Sequence, residues 1–89
     1  MAKKIAVLVR DRQVEALRMA VGLTLADDEV HVFLMDRKLE SGEGIDLNME
    51  ALIDMHAQLF SNYPGNNLEL RTTEQIAKAL TGYDVIIPF

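Results

Sequence analysis

Two hydrophobic periods alternate along this chain. Lys4 to Val9 (Lys-Ile-Ala-Val-Leu-Val) is a continuous apolar run, which predicts a strand buried on both faces. From Val14 the spacing changes to three and four. Val14, Leu17, Val21 and Leu25, with Ala20 beside them, form the inner stripe of an amphipathic helix. Asp11 is placed to cap its first turn. Asp27 and Asp28 have the wrong sign for a helix carboxyl end and predict its stop. Glu29 to Met35 is a second strand, with Val30, Val32 and Leu34 on one face and His31, Phe33 and Met35 on the other. The polar stretch Arg37 to Asp46 holds Gly42 and Gly44 and predicts a mobile loop, with Leu39 placed to pin it.

Helical spacing returns over Leu47 to Phe60. Leu52, Ile53, Leu59 and Phe60 share one side, Met49 and Met55 lie at its margins, and Asn48 is the expected cap ahead of Glu50. Turn residues from Asn62 to Asn67 end it. Leu68 to Thr72 alternates, as a half-exposed strand near a sheet edge does. Thr73 is the expected cap of a brief helix, Glu74 to Leu80, with Ile76, Ala77 and Leu80 inward and Gly82 as its stop. Asp84 to Phe89 is a last, almost wholly apolar strand. The order β-α-β-α-β-α-β predicts the α/β class: a three-layer α/β/α domain over residues 1–89 with a mainly parallel four-stranded sheet. The first strand is the most uniformly apolar and is expected to be central; the third is expected at an edge.

Composition narrows the functional field. The 89 residues suffice for one domain, and 49% are apolar, enough for a core without covalent staples. The chain has no cysteine, so it has neither a disulfide framework nor a thiolate metal site. A net charge of −5 opposes nucleic-acid binding, which needs a basic face. The apolar run Ile5 to Val9 is too short for a signal-peptide core or a membrane span, so the expected location is the cytoplasm.

Candidate chemistry follows from the parallel sheet, because ligands of such sheets bind outside the strand carboxyl ends. Those ends carry Arg10, Asp11 and Arg12, then Asp36, Arg37 and Lys38, then Thr72 and Thr73. The basic residues, beside two helix starts, form a rim that suits a small anion. The competing reading is a set of solvated charges paired with Asp11 and Asp36. The first turn has no glycine, so neither dinucleotide fingerprint nor P-loop can be drawn. His31 and His56 stand apart with no third donor at ligand spacing, so no metal or other cofactor is implied. His56 cannot share a helix face with Asp54 two residues away, and no nucleophilic triad is visible around Ser41 or Ser61. No catalytic residue is assigned.

The apolar residues Phe33, Met35, Met55, Phe60, Tyr63 and Phe89 are candidates for a subunit interface, since a small layered sheet has little material to cover both faces. The segments Lys4–Val9, Val14–Ala26, Val30–Asp36 and Leu80–Phe89 resemble the DsrE/DsrF-like family of sulfur-relay proteins. The resemblance spans most of the chain through hydrophobic patterns. It implies a three-layer parallel fold and assembly into trimers or hexamers, with itself or with a DsrE-like partner. Active members of that family pass sulfur as a cysteine persulfide. This chain has no thiolate to accept it, and methionine sulfur, already dialkylated, is no substitute. It also has a reduced region before the last strand. The resemblance therefore implies a non-catalytic relative.

Overall fold

A computed structural model describes residues 3–26, 28–66 and 68–89. Asp27 and Asn67, named above at a helix stop and in a turn, lie outside them. The elements run β1 (Lys4–Val9), α1 (Gln13–Leu25), β2 (Glu29–Leu34), α2 (Glu43–Asp54), β3 (Gln58–Ser61), a 3-10 turn (Pro64–Asn66), β4 (Glu69–Leu70), α3 (Thr73–Leu80) and β5 (Val85–Pro88). The five strands are all parallel, in the order β4-β3-β2-β1-β5. The α/β class and the parallel sheet are as expected; the strand count is five rather than four.

The strand runs divide by parity, as a pleated sheet requires. Ile5, Val7 and Val9 of β1 and Val30, Val32 and Leu34 of β2 pack against Ala16, Leu17 and Ala20 of α1 and Ile45 and Leu52 of α2. Ala6, Leu8, Phe33, Met35 and Phe60 face the other way and pack against Ile76 of α3, with Leu80 and Tyr83 at the margin. The connections through α1 and α2 advance the sheet in one direction. The connection from β4 through α3 returns across it to β5, so a right-handed crossover sets α3 on the opposite face. The result is asymmetric: one face carries two long helices, and the other carries one helix of 8 residues.

The main departure lies between residues 43 and 61. The predicted helix Leu47 to Phe60 is instead a helix that starts at Glu43 and ends at Asp54, followed by a strand. His56 adopts φ 61, outside the helical region, and the chain then extends. Leu59 and Phe60 turn to opposite faces of the sheet. Ile53, expected inward, is 59% exposed. Gly42, at φ 148, precedes α2 in place of the expected Asn48 cap, in a conformation that suits glycine. In α1, Leu25 is exposed, and the buried stripe is Gln13, Ala16, Leu17 and Ala20. Arg12, not Asp11, holds the N-cap position, without a side-chain cap. Thr72, not Thr73, caps α3. Its hydroxyl accepts from the Gln75 amide while the Gln75 side chain accepts from the Thr72 amide, a capping box. The short strand near residue 70 lies at one edge, as expected. β1 is interior, although β2 holds the middle of the sheet.

Candidate functional site

The carboxyl ends of the strands gather the predicted rim, and its three arginines are each paired with a carboxylate. Arg37 donates to Asp11 at 2.7 Å, Arg10 stands 3.5 Å from Asp36, and Arg12 pairs with Glu15. Asp36, at φ 65, is held by Asn62, whose side-chain oxygen accepts from the Asp36 amide and whose Nδ2 donates to the Asp36 carboxylate. The same Nδ2 donates to Thr73 Oγ1, and Thr72 is engaged as the α3 cap. The shallow groove at the start of α1 is lined by Asp11, Glu15 and Glu40 against Arg12 alone. These contacts bring the predicted residues together but leave no concentrated positive field for an anion.

The interface candidates separate. Phe33 and Met35, expected at a subunit contact, are buried in the chain's own core, and Phe60 is nearly so. Phe89 is half-buried against the α1 side of the core, with Arg12 5.7 Å from its ring centroid. Met55 and Tyr63 remain exposed.

A second constellation lies beneath α3, on the less covered face. A hollow of about 270 Å³ is lined by His31, Phe33, Phe60, Arg71, Gln75, Ile76, Ala79 and Tyr83. Phe33 and Phe60 stack with centroids 5.0 Å apart, and Tyr83 meets Phe33 edge-on at 5.8 Å. The Arg71 guanidinium lies 5.5 Å from the Phe60 centroid. His31 Nδ1 and the Tyr83 hydroxyl are 2.5 Å apart. The fold joins residues 52 positions apart because β2 and β5 flank β1, where Ala6 aligns with both His31 and Ile86. Its small side chain leaves room for the imidazole and the phenol to meet.

The protons in this pair can be assigned. His31 Nε2 is buried without a hydrogen-bond partner among the described residues, and the Glu29 carboxylate stands 3.7 Å from it. That negative charge favours a proton on Nε2, which leaves Nδ1 to accept from the Tyr83 hydroxyl. Burial lowers the His31 pKa from the ordinary 6.5, outweighing the opposing pull of Glu29; Lys4 adds to the depression. Burial, with Glu29, raises the Tyr83 pKa above 10, so the phenol keeps its proton.

The His31 shift has a consequence for stability. Below pH 6.5 the unfolded chain protonates this histidine while the folded chain resists, so stability falls with pH. The contribution is intact above 6.5 and is lost down to the lowered folded-state pKa. Urea unfolding at several pH values between 7.5 and 5 is expected to show this decline. His31→Gln should flatten it; an unchanged slope in that variant would show that another group is responsible.

A third hollow, about 370 Å³, opens at the other end of the sheet and is lined by Asp28, Glu29, His31, Met55 and His56, among others. Despite its two histidines, no group of three or more metal donors is close enough to hold an ion among the described residues. No helix among them is long and apolar enough to cross a membrane. The sequence pointed to His31 as a strand-face residue, but nothing local marked Tyr83, Arg71 or Gln75 as its companions. No protein family, curated protein or solved structure matches this chain.

Proposed function

We propose that this chain is a non-catalytic, DsrE-like assembly subunit of the cytoplasm that associates with a second copy of itself through the β5 edge. The observation that carries the reading is the character of that edge. Val85–Pro88 is an outer strand with no polar side chain, and all of its residues are half-buried or exposed. An edge strand offers unpaired backbone groups to another chain, and soluble proteins usually guard such edges with charge. Pro88 removes one donor here, and no charged side chain guards the strand itself. Ile86, 43% exposed, extends the apolar strip onto the face that α3 leaves open. Lack of a thiol supports a structural rather than a sulfur-carrying role. A β5-to-β5 contact is two-fold, and three such dimers make the hexamer that the resemblance implies.

The anion-binding alternative would use Arg10, Arg12 and Arg37, and the pairing of all three with carboxylates weakens it. Native mass spectrometry of the gently purified chain is expected to show the oligomer. Ile86→Lys, which places a charge on the strip, should weaken self-association by about tenfold or more. A chain that stays monomeric into the high micromolar range overturns the proposal, as does recovery of a stoichiometric complex with a different protein and no self-association.

A further inference from the structure

The geometry points to the hollow beneath α3 as a binding site for a small planar aromatic acid that carries a hydroxyl, of the hydroxybenzoate class. Its size suits a single ring: about 270 Å³ lies just below the range typical of drug-sized ligands. Its lining is divided in a way that selects an orientation. Phe33, Phe60 and Ile76 supply an apolar and aromatic middle. On the Arg71 side stand donors: the guanidinium, and the Gln75 Nε2 amide group, whose oxygen Oε1 already accepts from the Thr72 amide. Arg71 is bridged to Glu69, but both side chains are about half exposed, and such a pair contributes little in water. A ligand carboxylate stacked beside Phe60 competes with it and gains a planar, forked partner.

On the other side stands an acceptor. The Tyr83 hydroxyl donates its hydrogen bond to His31 Nδ1, so its oxygen lone pairs are what it offers a ligand. A phenolic hydroxyl donates to that oxygen; a second carboxylate would be repelled by it and by Glu29, which lies behind His31. Lys4, 4.9 Å from the Tyr83 centroid, covers the outer face of this ring. Ring, acid and hydroxyl are thus each matched by a different part of the lining.

The test is a titration of the isotope-labelled 89-residue chain with 4-hydroxybenzoate, benzoate and phenol, followed by amide NMR shifts. Saturable shifts confined to Phe33, Phe60, Gln75 to Ala79 and Tyr83 are expected with 4-hydroxybenzoate. Benzoate and phenol should each bind about tenfold more weakly, as loss of one paired group predicts. Arg71→Gln, an exposed position that leaves the fold intact, should weaken the two acids about tenfold and leave phenol unchanged. Ala79→Phe should fill the hollow and abolish all three. Absence of saturable shifts overturns the inference. So does phenol binding as tightly as 4-hydroxybenzoate, or Arg71→Gln leaving both acids unaffected.

Discussion

Replacing Phe33 with alanine is expected to remove about 3–5 kcal/mol of folding free energy, as truncation of a buried phenylalanine does. Phe33 lies on β2, the middle strand, and is 2% exposed. Its ring stacks on Phe60 and takes the edge of Tyr83, and beneath α3 it is the largest fully buried side chain. This face has one helix, so few neighbours can move in to close the cavity. Small domains hold only about 5–15 kcal/mol in total, and each lost kcal/mol lowers Tm by about 4–8 °C at this size. Circular dichroism melts should therefore show a drop of more than about 12 °C. Phe33→Leu keeps most of the volume and should cost less than half as much. A loss below about 1.5 kcal/mol for the alanine variant would mean that this cluster is not a real core.

That core was legible in outline because β1 is a uniform apolar run that a sheet interior accommodates, and β2 carries apolar residues on both of its faces beside His31. Parity alone places Phe33 and Met35 on the face opposite Val32 and Leu34. What parity does not disclose is how much material covers each face, so Phe33 and Met35, which α3 buries, are indistinguishable in the sequence from interface residues. Residues 55–61 show a different limit. No glycine or proline marks the break after Asp54, and Leu59 and Phe60 fall at helical spacing from Leu52. Only the turn at His56, with φ 61, separates helix from strand. The strand hidden there, Gln58–Ser61, is four residues long and too short to set up a period of its own against that spacing.

The candidate sites differ in the same way. Strand-end positions follow from topology, so Arg10, Asp11, Asp36 and Arg37 could be named as neighbours. Their pairing depends on side-chain geometry across two loops, and it reverses the electrostatic meaning of the rim from anion trap to neutral surface. The His31–Tyr83 contact needs the order of β2, β1 and β5, which local spacing does not contain. The hollow was invisible in the sequence because it is a consequence of one short helix spanning a wide sheet.

Asn66→Ala is expected to cost about 2–4 kcal/mol, because it strands several polar groups that it now satisfies. Composition marks residues 37–46 as a mobile loop, yet its first part is clamped from two sides. Asn66 Oδ1 accepts from the Leu39 amide at 2.6 Å, and its Nδ2 donates to the Arg37 carbonyl at 2.9 Å and to Ser61 Oγ at 3.0 Å. Ser61, buried at the end of β3, donates in turn to the Leu34 carbonyl at 2.7 Å. From α1, Gln13 donates to the Lys38 carbonyl at 3.3 Å and accepts from the Glu40 amide at 2.8 Å. Leu39, between these clamps, packs onto the α1 and α2 core. With Asn66 truncated, the Leu39 amide should lose its hydrogen-exchange protection while Glu40, held by Gln13, keeps more of its own. Arg37 sits on the same loop, so its ion pair with Asp11 should loosen as well. That would free the Arg37 guanidinium beside Lys38, and chloride or phosphate should then perturb the amides near residue 37 in the variant more than in the parent chain. Unchanged exchange at Leu39 would show that Leu39 packing, and not the asparagine network, holds this loop.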